Sequence, residues 1–468
     1  PARTAVARRR PGSAPTAAGD DRAEANGVSG LPGEYWFLLL SSAAGAALLP
    51  ASRDLATLVV ALEIASLPAF ALVGIRRGDR LSAEAALKFF LSSVAATAVM
   101  LLGVSFVYGA TGTLHLTAIA SGLPHVPGQL QVLAKTGVLL TLVGFAFKAA
   151  AAPFHFWVPD TYVGAPVPIA AYLSVVSKAV GFSGLILVAV VAFPPYAHLW
   201  APALAVLAAA TMSVGNVAAL RQSATRARGA VRLLAWSSVG QAGYLLVPIA
   251  AAGYGGERRV GSTVAYALMY AAVNLGAFGV VVLVTRTRPL NRIGDYRGLY
   301  ARSPLAALAL AFFLLCLAGL PPGIIGLFAK VTVFSSAVGA GLGWLAAVMA
   351  ANVACALYYY LRWAALLFRT PEGAPTGGGE AASARAGTVA APAGGDGAVP
   401  APAGDDGAVP ARAGHHGAVP ELPAPAASVE EARAPRPVVA AVALAALAGI
   451  ALSGAPQLVL RFTDMNLF

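Results

Sequence analysis

Residues 305–330 read LAALALAFFLLCLAGLPPGIIGLFAK. The stretch carries no charge until Lys330, and two adjacent prolines, Pro321 and Pro322, interrupt it. Proline lacks the backbone N–H and clashes with the carbonyl four residues before it, so it breaks a helix. An apolar run of this length that contains one break and one lysine predicts an interrupted membrane helix, because irregular backbone at membrane depth is tolerated only inside protein or beside water.

The whole chain shares this apolar character. It has 468 residues, of which 58% are hydrophobic and 11% charged, and its mean hydropathy is +0.73. Soluble domains are about 25% charged. This composition excludes an ordinary soluble enzyme and, despite a net charge of +12, argues against a nucleic-acid-binding protein. It predicts an all-α, polytopic membrane helix bundle in contact with the lipid bilayer.

Redox and metal centres are not predicted for this chain. Both cysteines, Cys316 and Cys355, lie in apolar runs, and no two of the six histidines are spaced i, i+4. These patterns argue against a disulfide framework, a cysteine-ligated zinc site and an iron–sulfur cluster. A strand followed by GxGxxG and a helix is also absent, so we expect no bound dinucleotide.

The apolar runs predict about eleven transmembrane helices, since a span needs roughly 17–25 apolar residues. The predicted spans are 34–50, 55–75, 83–109, 130–152, 165–193, 199–220, 230–252, 262–285, 303–338, 343–368 and 437–455.

Arginines predict the orientation of these spans. They concentrate in the loops 76–80, 221–232 and 286–302, which follow the second, sixth and eighth spans and therefore share one face. Basic loops are retained on the cytoplasmic side. We therefore expect the N-terminus inside and, after eleven crossings, the C-terminus outside a bacterial cell membrane.

Two segments are predicted to lie outside the membrane. Residues 1–33 form a polar N-terminal tail. Residues 371–436 form a Pro/Ala/Gly linker in which a decapeptide ending in GAVP occurs three times. Such a composition has little apolar surface to bury and predicts disorder.

The first ten spans divide into two sets of five, 34–193 and 199–370, followed by a C-terminal span, 437–455. Because five is odd, the second set starts on the opposite side of the membrane, which predicts an inverted repeat. The fourth span of each set, 130–152 and 303–338, combines a lysine with a nearby proline. The matching interruptions support the repeat.

The prolines also predict which carbonyls lose their helical partners. Pro153 should free the carbonyl of Ala149, and the prolines at 321–322 should free those of Leu317 and Ala318. A kink without function is the alternative interpretation, but paired breaks with buried lysines favour a polar transport path.

Charged groups inside the spans are the candidate functional residues. Arginine stays protonated, whereas a desolvated lysine can exchange its proton. Glu63 is the only carboxylate deep within a predicted span, and each buried charge costs about 2.5–3.5 kcal/mol. A purely structural ion pair is the alternative for Glu63, and snorkelling to the interface is the alternative for two of the lysines, Lys88 and Lys135. The five lysines all lie in predicted spans: Lys88, Lys135, Lys148, Lys178 and Lys330.

Several motifs resemble those of the antiporter-like N subunits of bacterial proton-pumping NADH–quinone oxidoreductase (respiratory complex I). The resemblance extends from about Gly33 to Leu367. The motifs are LEIASLP at 62–68, ALKFFLSS at 86–93, FKAAAAPFHFWVPDTYVGAPVP at 147–168, SVVSKA at 174–179, AWSSVGQAGYLL at 235–246, DYRGLY at 295–300, LAGLPPGIIGLFAK at 317–330 and YYYLR at 358–362.

The resemblance implies a role for each buried charge. Glu63 and Lys148 are similar to a glutamate–lysine pair whose association changes during coupling. Lys178 is similar to the central lysine of a hydrophilic axis, Lys330 to the terminal lysine before the exit half-channel, and Lys88 to an auxiliary lysine. The resemblance also places NADH, FMN, the iron–sulfur clusters and quinone in partner subunits, with other membrane subunits of the complex as partners.

Two departures from the family pattern stand out. Gln241 occupies a position where many family members have histidine, so one relay in the second half is expected to use water. Three helices that usually precede the first span are replaced by polar residues, which indicates a fragment or a misplaced start. A subunit of a multi-subunit sodium/proton antiporter is the alternative function, and a purely structural membrane scaffold is a third.

Overall fold

The computed structural model describes residues 32–255, 260–370, 435–455 and 457–461. The predicted tail, 1–33, and the predicted linker, 371–436, fall almost entirely outside the described residues. Within them the helices are α1 Pro32–Leu48, α2 Leu55–Val73, α3 Arg80–Thr111, α4 Leu116–Gly122, α5 Gln131–Lys148, α6 Trp157–Gly164, α7 Val167–Ile186, α8 Ala197–Leu220, α9 Gly229–Ala252, α10 Gly261–Thr287, α11 Leu299–Arg302, α12 Pro304–Ala318, α13 Ile324–Gly339, α14 Gly343–Leu367, α15 Arg436–Gly454 and α16 Gln457–Leu460.

The predicted membrane helix bundle is confirmed. In the described part of the chain, nine helices are long and apolar enough to cross a membrane. The predicted span at 303–338 is interrupted, as expected, and consists of two shorter helices, α12 and α13, with the prolines between them. The predicted span at 34–50 is α1, which has 17 residues. The pairing of the helices into two inverted repeats stays a prediction.

Helix α9 occupies the centre of the bundle. All of its residues except Arg232 and Trp236 are buried, although it contains serines, a glutamine and a tyrosine. It contacts α8 closely, since a Cβ atom added at Gly215 would lie 2.3 Å from the backbone nitrogen of Gly240. Glycine at this crossing allows the two backbones to approach. Polar side chains on α9 therefore face protein rather than lipid.

The three arginine-rich loops meet at one end of the bundle. Asp79 lies 3.5 Å from Arg76 in its own loop and 3.9 Å from Arg228 in the next basic loop. The backbone nitrogen of Arg228 donates to the carbonyl of Leu290 in the third. The expectation that these loops share one face is therefore met.

Candidate functional site

Lys148 is the last residue of α5 and is 3% exposed. Its Nζ donates to Oγ of Ser93 on α3 at 2.7 Å. Three aromatic rings surround the same nitrogen, those of Phe70 and Phe89 at 5.4 Å and that of Phe147 at 5.6 Å. The electron-rich ring faces and the hydroxyl together stabilise a cation here.

Glu63 lies on α2 and binds the same face of α3. Its Oε1 accepts a hydrogen bond from the Thr97 hydroxyl at 2.8 Å. Among the described residues, no ion pair within 4.0 Å includes Glu63, so the direct pair with Lys148 is not formed. Ser93 and Thr97 are one helical turn apart and therefore neighbours on one face. Two hydroxyls of α3 thus separate the carboxylate from the ammonium.

The break after Lys148 is held by side chains from three other helices. Trp157 Nε1 donates to the carbonyl of Phe147 at 3.1 Å, and the Ser177 hydroxyl donates to the carbonyl of Lys148 at 3.3 Å. The Ala152 backbone nitrogen, next to Pro153, donates to the Thr211 hydroxyl at 2.8 Å. Pro153 lies within the break between α5 and α6, as predicted. The release of the Ala149 carbonyl stays a prediction.

Lys178 lies in the middle of α7 and is 3% exposed. Its Nζ has no hydrogen-bond partner within the described parts of the chain. One turn earlier, the Ser174 hydroxyl accepts from Nδ2 of Asn274 on α10 at 2.6 Å. Gly181 of α7 packs against the backbone of Lys148. A Cβ atom added at Gly181 would lie 2.7 Å from the carbonyl carbon of Lys148. The segments that carry Lys148 and Lys178 are therefore in direct contact.

Lys330 lies on α13 and is 4% exposed. Its Nζ donates to the carbonyl of Leu317 at 2.9 Å and to that of Ala318 at 2.5 Å. These are the two carbonyls that Pro321 and Pro322 were predicted to free, so this prediction is confirmed. The buried lysine and the broken helix satisfy each other's hydrogen bonds.

Gln241 binds one of the two carbonyls that Lys330 binds. Its Nε2 donates to the carbonyl of Leu317 at 3.4 Å and to the Tyr360 hydroxyl at 3.2 Å. Its Oε1 accepts a short hydrogen bond from Tyr266, and Tyr360 forms another with Ser237. An amide therefore occupies the position where many family members have histidine, and direct contacts to two tyrosines hold it.

A polar stripe on α10 extends from Ser174, on the helix that carries Lys178, to Gln241, beside Lys330. Tyr266, Tyr270 and Asn274 are spaced by four residues and so lie along one helix face. The Tyr270 hydroxyl donates to Ser238 on α9 at 2.8 Å, one turn from Gln241, while Asn274 contacts α7. This stripe was not predicted from the sequence, although polar residues at intervals of four within an apolar run are a detectable signal. The Ser93 and Thr97 hydroxyls of α3, also four residues apart, were not predicted either.

Lys88 and Lys135 lie apart from the three buried lysines, Lys148, Lys178 and Lys330. The Lys88 side chain is 51% exposed and binds Glu84 at 2.7 Å and Asp160 at 3.1 Å. Asp160 also lies 3.4 Å from Arg232. Lys135 is half-buried in the second turn of α5. Within the described residues, no cluster of three or more His, Cys, Asp or Glu side chains could hold a metal ion.

Buried lysines at helix breaks are typical of membrane proteins that move ions. Residues 52–355 match the family described as NADH:quinone oxidoreductase/Mrp antiporter, TM. The chain therefore belongs to this family of transmembrane subunits.

Two relatives carry the name of one subunit of that family. The chain is 71% identical over 436 residues to NADH-quinone oxidoreductase subunit N 2 of Streptomyces griseus subsp. griseus, which covers 93% of this chain and 75% of that protein. It is 47% identical over 350 residues to subunit N of Salinispora tropica, covering 72% of this chain and 66% of the relative. The chain thus spans about two thirds to three quarters of these relatives.

Solved structures have the same fold. A chain of respiratory complex I from Thermus thermophilus, solved with bound aureothin, is 32% identical, with a TM-score of 0.65 over 92% of this chain and 79% of that chain. A chain of the Mrp complex from Dietzia sp. superposes with a TM-score of 0.70 over 91% of this chain and 76% of that chain. Its identity is only 23%, so this likeness shows the fold alone.

Proposed function

We propose that the chain is the proton-translocating membrane subunit N of a bacterial NADH–quinone oxidoreductase. Quinone reduction takes place elsewhere in the complex and drives proton transfer along Glu63, Lys148, Lys178 and Lys330. The observation that carries this proposal is the burial of three lysines, with buried hydroxyl and amide side chains between Ser174, one turn from Lys178, and the Leu317 carbonyl that Lys330 binds. The similarity to subunit N of two bacteria supports the choice of complex.

Each lysine has a different environment, and the differences suggest how a proton moves. Lys148 is held by Ser93 and three rings, so a change of charge near Glu63 acts on it through α3. Lys178 has no hydrogen-bond partner among the described residues, so no side chain or carbonyl there holds its ammonium as Ser93 holds that of Lys148. An ammonium has three donors, and Lys330 uses two of them on carbonyls. Its third remains available for transfer.

The passage from Lys178 to Lys330 follows the stripe on α10. Ser174, Asn274 and Tyr270 lead from α7 to α9, and Gln241 reaches the carbonyl that Lys330 also binds. Hydroxyl groups both donate and accept, so they can order a proton path. Gln241 donates and accepts but does not titrate, so we assign it the role of orienting this path.

The remaining assignments follow from the same proposal. NADH, FMN, iron–sulfur clusters and quinone bind partner subunits, and the other membrane subunits of the complex contact this chain. The basic loops lie on the cytoplasmic side and the C-terminus lies outside. We assign Lys88 an auxiliary role at the basic end, because it binds two carboxylates there.

Proton pumping in inverted membrane vesicles supplied with NADH and quinone tests the proposal. Lys178→Ala and Glu63→Gln should each lower the protons moved per electron, because each removes a titratable group from the proposed proton path. Lys135→Ala is the matched control, since this lysine lies outside that path and should leave the ratio unchanged. Wild-type ratios in both test variants would contradict the site assignment.

A subunit of a multi-subunit sodium/proton antiporter is the second candidate, because the family that residues 52–355 match also includes the Mrp antiporter. Vesicles that exchange protons for sodium without NADH would support it. Vesicles that pump only with NADH and quinone would exclude it.

A further inference from the structure

The C-terminal helix α15 contacts both halves of the broken span. Gly449 lies against Phe312 of α12, where an added Cβ would be 2.9 Å from the ring. One turn later, the Ser453 hydroxyl accepts a hydrogen bond from the backbone nitrogen of Ile325, on α13, at 3.3 Å. A single helix thus touches the part that carries the free carbonyls and the part that carries Lys330.

The contact at Ser453 caps the first turn of α13. The first N–H groups of a helix have no partner within that helix. The residue before α13 is Gly323, which has no side chain to supply one. Ser453 donates its own hydrogen to the carbonyl of Gly449 at 2.7 Å, which directs its lone pairs towards Ile325. Within a membrane, water is not at hand to replace such a partner.

The position of this first turn determines how close Lys330 Nζ lies to the carbonyls of Leu317 and Ala318. The two half-helices already touch, because a Cβ at Gly326 would lie 1.9 Å from the Cys316 carbonyl oxygen. Lys330 follows Gly326 by four residues and so projects from the same face. A small displacement of the first turn would therefore move Nζ away from Leu317 and Ala318.

We propose that α15, through Ser453, is a positioning element that holds Lys330 on its two carbonyls. The inference rests on the proposed proton-carrying role of Lys330. It gives α15, which follows residues 371–434, a role in proton transfer through the position of Lys330. Ser453 itself carries no proton along the path.

Ser453→Ala in the assembled complex tests this role. Hydrogen exchange at the Ile325 amide, followed by mass spectrometry of the peptide that contains it, should rise roughly tenfold when the cap is lost. The protons pumped per electron should fall about twofold or more. Ser453→Thr keeps the hydroxyl and should restore both measurements, which a role in packing volume alone would not predict.

Ser105→Ala is the matched control, since among the described residues that hydroxyl bonds only to the Leu102 carbonyl of its own helix, at an exposed position. It should change neither measurement. If Ser453→Ala leaves the exchange or the pumping unchanged while Lys330→Ala abolishes pumping, the positioning role is wrong and the proposed function stands. If Lys330→Ala pumps normally, the role of Lys330 in the proposed function is wrong. Should Ser453→Ala lower the amount of complex, Ser453→Cys keeps the side-chain volume and should give intermediate values, whereas wild-type values would contradict the proposal.

Discussion

The two helix breaks stabilise their lysines in opposite ways. At the first break the lysine ends the helix and binds a side chain, Ser93, while other side chains satisfy the broken backbone. At the second break the lysine lies beyond the interruption and itself binds the freed carbonyls, Leu317 and Ala318. Support is therefore distributed over several residues at the first break, whereas at the second Lys330 binds both carbonyls and Gln241 adds a longer bond to one of them.

This difference predicts different responses to substitution. Loss of one partner at the first break leaves the others in place, so single changes should have graded effects. Loss of Lys330 removes the ion, a donor to the Ala318 carbonyl and one of the two donors to the Leu317 carbonyl, which keeps Gln241. Each unpaired buried carbonyl costs about 1–3 kcal/mol.

The largest effect is expected for Lys330→Arg. Arginine keeps the charge and the donors but does not release its proton, so the carbonyls stay paired while transfer stops. The protons pumped per NADH oxidised in inverted vesicles should fall roughly tenfold or more. Lys135→Arg should leave the ratio unchanged. A normal ratio in Lys330→Arg would show that Lys330 serves only to pair the carbonyls.

The next largest effect is expected for Gly326→Ala. The added methyl group would lie 1.9 Å from the Cys316 oxygen, so α12 and α13 must separate. Overpacking of this kind costs about 1–3 kcal/mol. The thermal stability of the purified complex and its pumping ratio should both fall. Gly343→Ala should alter neither, because no atom of the described residues that could clash lies within 4 Å of a Cβ added there. Equal behaviour of the two variants would contradict the close contact.

An intermediate effect is expected for Ser93→Ala. A hydrogen bond to a charged group contributes about 1.5–3 kcal/mol, and the three rings around Lys148 offset part of the loss. Pumping per electron should fall roughly fivefold. Ser92→Ala is the control, because its hydroxyl binds only carbonyls of its own helix. A fall as large as that in Lys330→Arg would remove the contrast between the two breaks.

The smallest effect is expected for Trp157→Phe. Phenylalanine keeps an aromatic ring against Phe89 but loses the N–H that binds the carbonyl of Phe147. Thermal unfolding should show a loss of about 1 kcal/mol, with pumping reduced less than about twofold. Trp36→Phe, at an exposed position of α1, should have no effect. A loss equal to that of Ser93→Ala would mean that support at the first break is not distributed.

The effect of a proline on its own segment was predictable from the sequence, whereas the contacts between different helices were not. The positions of Pro321 and Pro322 were enough to predict that the carbonyls of Leu317 and Ala318 lose their helical partners, because a proline acts on the carbonyl four residues before it in the same chain. Glu63 and Lys148 each bind a hydroxyl of α3, Thr97 and Ser93, and no spacing within α2 or α5 reveals these partners. The contact of Ser453 with Ile325 requires knowing which helices pack together across 128 residues of sequence.

The burial of α9 has a consequence for how the protein is made. This helix faces protein on almost every side and carries Ser237, Ser238 and Gln241 in its middle. During synthesis such a segment meets lipid before its neighbours are all present, and its polar groups disfavour entering the hydrocarbon alone. The glycine crossing with α8 offers an immediate partner. We expect α8 and α9 to insert as a hairpin, so a change at Gly215 would reduce the yield of protein before it affected transport.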